Sequence, residues 1–195
     1  MRTGKHGAVP VVTLLGDSIS AGYGLTPNDS LPAQLRSVMA NLGIPVRVVG
    51  AGVDGNTTAD GLARLGTSVP GETDLCIVAL GANDLMQTLP PPLILENLNA
   101  IVANLVSHQI GVLLCGMKAP PWLSTYAPAF DAVFPAIAER HRVPLYPFLL
   151  EGVALDPRFN QADRIHPNAA GIAVIARRLA PAVVAALAIR SGAAS

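Results

Sequence analysis

Charge is scarce in this chain. Asp, Glu, Lys and Arg make up 13% of its 195 residues, and thirteen basic groups balance thirteen acidic ones. No run of Lys or Arg stands out, which excludes nucleic acid and anionic membrane surfaces as natural partners. Only two cysteines are present, Cys76 and Cys115. Both fall in predicted strands, one early and one late, so parallel neighbours would hold them toward opposite ends. Buried free thiols are expected, not a disulfide. No His, Cys or carboxylate spacing suits a metal, and no metal or cofactor is expected. A Walker phosphate loop is missing, which argues against nucleotide binding. The Gly-x-Ser-x-Gly elbow is missing too, so the α/β-hydrolase fold is not indicated. No apolar run reaches the ~18 residues of a membrane span, and no stable membrane insertion is expected. Met1 to Ala8 is short and polar and lacks the apolar segment of a signal peptide. The expected compartment is the cytoplasm, or the periplasm or exterior if a signal segment has been removed. Repeats, low-complexity linkers and composition breaks are absent. One domain over residues 1–195 is expected, with 1–8 and 191–195 flexible. The oligomeric state is left open, a homo-oligomer included.

What the chain does have is apolar residues, 51% of the total, enough for one sizeable core. They come as short runs alternating with helical patterns, which predicts βαβ units around a parallel sheet. Strands are predicted over Val9–Leu15, Val46–Gly50, Leu75–Leu80, Val112–Gly116 and Pro144–Tyr146. Helices are predicted over Leu31–Leu42, from Thr57 or Thr58 to Leu65, and over Leu93–Ser107 and Phe130–His141. A last helix is capped by Asn168 and runs to about Leu187.

The organising stretch runs from Val9 to Gly24. Its β-rich apolar run breaks at Gly16, and Asp17 and Ser18 follow at once. Chemistry in open α/β sheets sits just beyond the carboxyl ends of the strands, so Ser18 stands where a nucleophile would stand. Gly-Asp-Ser is also ordinary turn chemistry, and the motif gains force only with partners elsewhere. The second strand leads into Gly50-Ala51-Gly52-Val53-Asp54-Gly55-Asn56-Thr57. Gly50 and Gly52 read as a flexible turn, whereas Gly55, beside a helix N-terminus, is a candidate for an anion-facing N–H. The third strand leads into Leu80-Gly81-Ala82-Asn83-Asp84, where the Asn83 amide could hold a developing oxyanion. Asp163-Arg164-Ile165-His166 allows the Asp163 carboxylate to reach one imidazole nitrogen of His166 across a compact turn. The other nitrogen is then free to take a proton. His6 lies in a loose terminus, and His108 and His141 fall in the last turns of predicted helices. That leaves His166 as the candidate base. A nucleophile, a base, an orienting acid and two oxyanion donors at one rim form an acyl-transfer set.

These four blocks, Gly16-Asp17-Ser18-Ile19, Gly55, Gly81-Ala82-Asn83-Asp84 and Asp163-Arg164-Ile165-His166, resemble those of the SGNH (GDSL-type) hydrolases. The likeness is closest to the bacterial arylesterase, thioesterase I and lysophospholipase branch. Gly61-Leu62-Ala63-Arg64-Leu65, Met117-Lys118-Ala119-Pro120-Pro121 and Pro147-Phe148 support that branch. The resemblance implies a three-layer α/β/α sandwich around a flavodoxin-like five-stranded parallel sheet. It implies Ser18 as nucleophile, His166 as base and Asp163 as its partner. The Ser18 N–H, the Gly55 N–H and the Asn83 side chain would form the oxyanion hole. Where the family places Asn-x-Ser ahead of the second-block glycine, this chain has Gly50-Ala51-Gly52.

The expected activity is hydrolysis of short- to medium-chain acyl esters, thioesters included. Candidate substrate contacts are Asp17, Leu85, Met86, Leu89, Trp122, Tyr126, Phe159 and Ile165. The segment from Leu85 to Pro92 is expected to be a loop bordering the acyl group, stiffened by Pro90, Pro91 and Pro92. A carbohydrate O-deacetylase of the same family is the alternative, disfavoured by the apolar rim of Leu85, Met86, Leu89 and Trp122. A non-catalytic flavodoxin-like binding module is the other, and it leaves the pairing of Asp163 with His166 without a purpose.

Overall fold

A computed structural model of the chain describes residues 9–192, so His6, the first eight residues and the last three lie outside it. Three strands are buried along their whole length or nearly so. They are β1 (Val11–Gly16), β3 (Leu75–Ala79) and β4 (Gly111–Cys115). Such uninterrupted Val, Ile and Leu runs are what a strand covered on both faces requires. The edges are weaker. β2 (Arg47–Gly52) is half exposed, and β5 (Leu145–Tyr146) is two residues long. All pairings are parallel, in the order β2-β1-β3-β4-β5.

Helices cover both faces. On one face α1 (Ser18–Ala21), α2 (Leu31–Asn41) and α9 (Ala169–Gly192) lie together. On the other, α6 (Pro91–Ser107) packs between α3 (Thr58–Ala63) and α8 (Val133–His141). Three short helices complete the set: α4 (Leu65–Ser68), α5 (Ala82–Met86) and α7 (Ala127–Asp131). This is the expected three-layer α/β/α sandwich. The connection after β1 goes to one face and that after β3 to the other. The two neighbours therefore part at their carboxyl ends and leave a crevice there.

Several boundaries differ from the sequence reading, each for a local reason. Gly50 and Gly52 are not a turn. They extend β2, in register with Leu14 and Gly16 of β1. Glycine is needed at Gly52 because α1 lies directly on the sheet. A Cβ on Gly52 would stand 2.3 Å from the Ala21 nitrogen and 2.8 Å from the Asp17 oxygen. The segment expected as a loop from Leu85 to Pro92 is half helical, with Leu85 and Met86 in α5, Pro91 and Pro92 in the first turn of α6, and only Gln87 to Pro90 between them. A first-turn proline gives up an N–H that has no helical acceptor, so it starts a helix as readily as it stiffens a loop. The helix predicted over Phe130–His141 is two, α7 and α8. Thr57 makes a capping box with Asp60, and Asn168 accepts the Gly171 N–H at 3.0 Å at the start of α9. Ser191 and Gly192 are the last residues of α9.

One exclusion needs correction. Ala169–Ile189 of α9, with mean hydropathy 2.0, is long and apolar enough to cross a membrane. Arg177 and Arg178 interrupt its apolar run, which hid it from a search for unbroken runs. In this fold its stripe of Ile172, Ile175, Ala176, Leu179, Ala180, Val183 and Ala186 is buried, against α2 and β4 among others. That 3–4 residue spacing is the signature of a core-facing helix. Cys76 and Cys115 are buried free thiols, and burial pushes both thiols up in pKa.

The approach of α1 to β2 makes a test. Gly52→Ala should lower unfolding stability by about 1–3 kcal/mol, because the atoms it meets are backbone that cannot rotate away. Gly66→Ala in α4, where an added Cβ meets nothing within 4 Å, should be neutral or slightly stabilising, alanine being the better helix former. Urea midpoints of both variants against the parent decide it. Equal midpoints would mean that α1 is not held against the sheet.

Candidate active site

Ser18 stands at the end of β1, which borders the crevice. Gly16 closes the strand, and Asp17 caps α1 by accepting the Ile19 N–H at 3.0 Å. Ser18 is thus the first residue of a short helix, and not part of an open loop. A first-turn N–H has no acceptor within its own helix. Gly22 ends the turn in the left-handed region at φ 81°, where glycine is unstrained. Gly22 and Tyr23 both donate backbone N–H bonds to the Ser18 carbonyl at 3.0 Å. The hydroxyl is left to point at the crevice, with Ser18 Oγ 3.0 Å from His166 Nε2.

His166 and Asp163 form a compact turn at the start of the last helix. Asp163 Oδ1 accepts the backbone N–H of Ile165 at 2.9 Å and of His166 at 3.0 Å. Its Oδ2 lies 2.7 Å from His166 Nδ1. These contacts, the His166 side chain first, hold the Asp163 carboxyl down to about 2. At neutral pH it is therefore an anion and can only accept, so Nδ1 carries a proton. In the neutral imidazole Nε2 is then a bare acceptor, facing the Ser18 hydroxyl. An imidazole in this tautomer can take a proton at Nε2 while Asp163 holds Nδ1.

Two side chains that the sequence reading did not single out brace this pair. Gln161 Nε2 donates to the Tyr23 carbonyl at 2.8 Å and to the Pro167 carbonyl at 3.0 Å, which ties the segment after α1 to the histidine loop. The Tyr23 ring lies over the imidazole, with ring centroids 4.4 Å apart. No motif pointed to either residue. Their roles arise from contacts 138 residues apart in the chain for Gln161 and Tyr23.

Asn83 is the second residue of α5, not part of a loop. Gly81 precedes it at φ 118°. The Asn83 amide donates to the Asn56 carbonyl at 3.0 Å, which leaves its second N–H for another acceptor. Asn56 directly follows Gly55, itself exposed at φ 74°. The two oxyanion candidates thus belong to one hydrogen-bonded unit. Behind them, buried Asp84 accepts from the Thr58 N–H at 2.9 Å and the Thr58 hydroxyl at 2.6 Å, joining α5 to α3. Arg64, in the sequence only one residue of the Gly61–Leu65 motif, converges on the same corner. Its guanidinium reaches the carbonyls of Gly16 at 2.7 Å and Ala51 at 2.9 Å, and Asn56 Oδ1 at 2.6 Å.

The expected substrate contacts fare unevenly. Asp17 is only 2% exposed and is occupied as a helix cap, which removes it from the list of surfaces a substrate could touch. Leu85 and Leu89 pack partly against the core. Met86 and Trp122 are exposed at 61% and 69%, so they stand out from the surface and form no wall. Tyr126 is turned to the protein, its hydroxyl donating to the Leu89 carbonyl at 2.7 Å. Phe159 is partly buried beside the Arg158 guanidinium, and Ile165 is exposed on the histidine loop. The depression that contains Ser18 and His166 is lined instead by Ile19, Gly22, Tyr23, Leu25, Pro167 and Ile172. Among the described residues no group of His, Cys, Asp and Glu side chains converges as a metal site would.

Comparison with known proteins bears on this arrangement. The description "GDSL-like Lipase/Acylhydrolase family" matches residues 14–174. The chain is 34% identical over 157 residues to an arylesterase of Vibrio mimicus, covering 80% of this chain and 78% of that protein. It is 36% identical over 165 residues to esterase TesA of Pseudomonas aeruginosa, covering 84% and 82%. A crystal structure of TesA superposes with a TM-score of 0.85 at 34% identity, over 90% of this chain and 99% of that one.

The buried cap has a pH signature. Burial pushes the Asp17 carboxyl up to about 6, against backbone hydrogen bonds that pull it down. A raised acid binds its proton more tightly in the folded state. Its contribution to stability is therefore full at low pH and is lost as the pH rises through about 4 to 6. The loss amounts to about 3 kcal/mol. Asp17→Asn keeps an oxygen for the Ile19 N–H and cannot ionise. Relative to the parent, its unfolding free energy should rise by up to about that amount between pH 3.5 and 7.5. Urea titrations at both pH values check it, and parallel curves for the two proteins would refute it.

Proposed function

Because this chain belongs to the GDSL-like lipase/acylhydrolase family, we propose that it is a serine esterase of small acyl esters, with Ser18, His166 and Asp163 as its triad. One observation carries this reading. An unbroken line of polar contacts runs from Ser18 Oγ to His166 Nε2 at 3.0 Å and from His166 Nδ1 to Asp163 at 2.7 Å. A binding module of the same fold would have no use for that line.

The chemistry follows from the geometry. Ser18 Oγ attacks the ester carbonyl carbon as His166 Nε2 takes the hydroxyl proton. Asp163, already an anion, stabilises the imidazolium that forms. The carbonyl oxygen gathers negative charge and is met by the Ser18 N–H, the Gly55 N–H and the free N–H of the Asn83 amide. Collapse breaks the bond to the alcohol, which leaves with the proton from His166. Water, deprotonated by the same imidazole, then attacks the acyl-enzyme and returns Ser18 to its starting state. A thioester can follow the same course, since a thiolate is the easier group to expel.

The shape of the site points to short acyl groups. The depression beside Ser18 and His166 is shallow, its lining of Ile19, Gly22, Tyr23, Leu25, Pro167 and Ile172 leaving no enclosed room for a long chain. Activity on p-nitrophenyl esters from two to twelve carbons should peak between acetyl and about hexanoyl. Each buried methylene adds up to ~0.8 kcal/mol until the depression ends. A peak at ten or twelve carbons would refute the short-chain assignment.

Three experiments test the triad itself. Ser18→Ala should lower kcat on p-nitrophenyl acetate by about 10⁴–10⁶-fold. A fluorophosphonate should label the parent on the peptide bearing Ser18 and leave the variant unlabelled. Asp163→Asn should cost less than His166→Ala, because the imidazole survives and loses only its orientation. Labelling at another serine, or retention of more than a few per cent of activity by Ser18→Ala, would overturn the assignment.

A further inference from the structure

The corner occupied by Gly55, Asn56 and Asn83 is built from short elements: a glycine turn in the left-handed region and a five-residue helix. Something must fix its distance from Ser18, since a misplacement of about 1 Å costs on the order of 10²-fold in rate. The backbone supplies only part of the answer, through the Val53 N–H to the Gly16 carbonyl at 3.1 Å and the Asn56 N–H to the Val53 carbonyl at 3.3 Å.

Arg64 supplies the rest. It lies at the junction of α3 and α4 and directs all three nitrogens of its guanidinium back toward the crevice. Nη2 donates to the Gly16 carbonyl at 2.7 Å, one peptide before Asp17 and Ser18. Nη1 donates to the Ala51 carbonyl at 2.9 Å and to Ser68 Oγ at 3.0 Å. Nε donates to Asn56 Oδ1 at 2.6 Å. The same Asn56 accepts the Asn83 amide on its backbone oxygen at 3.0 Å. One rigid plane thus touches the end of β1, the end of β2 and, through Asn56, the end of β3. No ion pair with a carboxylate holds Arg64 among the described residues. Its partners are carbonyls, a hydroxyl and an amide, which is unusual for a surface arginine and suited to a strut.

We propose that Arg64 is the positioning residue of the oxyanion hole, its guanidinium setting the separation between Ser18 and the Gly55–Asn56–Asn83 unit. This rests on the serine esterase reading. Lysine cannot replace it, because a single ammonium on a flexible stem cannot reach three segments in fixed directions. The chemistry of attack and proton transfer does not pass through Arg64, so its loss misplaces the donors without disabling His166.

The test uses the full chain with Arg64→Ala and Arg64→Lys, and Ser18→Ala beside them. On p-nitrophenyl acetate both Arg64 variants should lose about 10–100-fold in kcat, with KM within about twofold of the parent, since the donors meet charge only in the transition state. The pH at which kcat/KM is half-maximal should not move. Added guanidinium ion should restore part of the Arg64→Ala loss and none of the Arg64→Lys loss, where the ammonium occupies the gap. Far-UV circular dichroism verifies folding, and if Arg64→Ala does not fold the decision rests on Arg64→Lys. Parental kcat in Arg64→Lys, a loss expressed in KM, or no guanidinium rescue of a folded Arg64→Ala would overturn the proposal. An active Ser18→Ala would instead overturn the esterase reading on which it stands.

Discussion

The close contact between α1 and the carboxyl ends of β1 and β2 is the constraint on which the site depends. Ser18 can face the crevice only if the chain turns sharply after Gly16 and lies flat on the sheet. Side chains at that point would prevent it. A Cβ on Gly16 would fall 2.8 Å from the Ala79 carbonyl, and one on Gly52 2.5 Å from the Ser20 carbonyl carbon. Two glycines in register on neighbouring strands remove both obstacles at once. The buried Asp17 carboxylate then satisfies the Ile19 N–H in place of the preceding turn that a helix start lacks. Its raised pKa is the energetic counterpart of that position: a carboxyl taken out of water where a cap is needed.

The base is held by different means. The Asp163 side chain is substantially exposed, and burial contributes little to its behaviour. Three hydrogen bonds from two successive backbone groups and one imidazole do the work, and all act on the charged form. A carboxylate held down to about 2 is an anion throughout the neutral range, so the same contact orients His166 there. The Tyr23 ring covers one side of the imidazole, and the Gln161 bridge keeps the loop from drifting away from α1.

Much of this was legible in the sequence, and the reason is periodicity. β1, β3 and β4 are buried on both faces, so their runs are uninterrupted and mark themselves. β2 and β5 are edges with mixed burial, yet they too were found, and the limits of all five strands moved by no more than two residues. Gly50 and Gly52 were misread because a glycine in a strand and a glycine in a turn look alike in sequence. What distinguishes them is α1 lying on the strand, which is tertiary. Asp163 and His166 were legible because their contact spans three residues. Asn83 was legible as a donor after a strand, although its helix was not. The substrate contacts were the least legible: Met86 and Trp122 project from the surface, and Tyr126 turns its hydroxyl to the chain. A pocket wall is made by residues distant in sequence, and Leu25 and Ile172 carried no mark of it.

The same distinction explains why the two halves of the site are braced by long polar side chains. At the switch between β1 and β3 the sheet itself offers no support, since the connections leave for opposite faces. Local hydrogen bonds can fix a turn but cannot set its distance from a turn on another strand. Gln161 spans the gap on the base side, from the histidine loop to Tyr23. Arg64 spans it on the other, from the α3–α4 junction to Gly16, Ala51 and Asn56. Gln161 donates to backbone carbonyls alone, and Arg64 to two backbone carbonyls together with Asn56 Oδ1 and Ser68 Oγ, so beyond Asn56 and Ser68 neither depends on which side chains occupy the loops it holds. Loops around such a crevice can then vary in sequence, and with them the group they accept, while the spacing between Ser18, His166 and Asn83 stays the same.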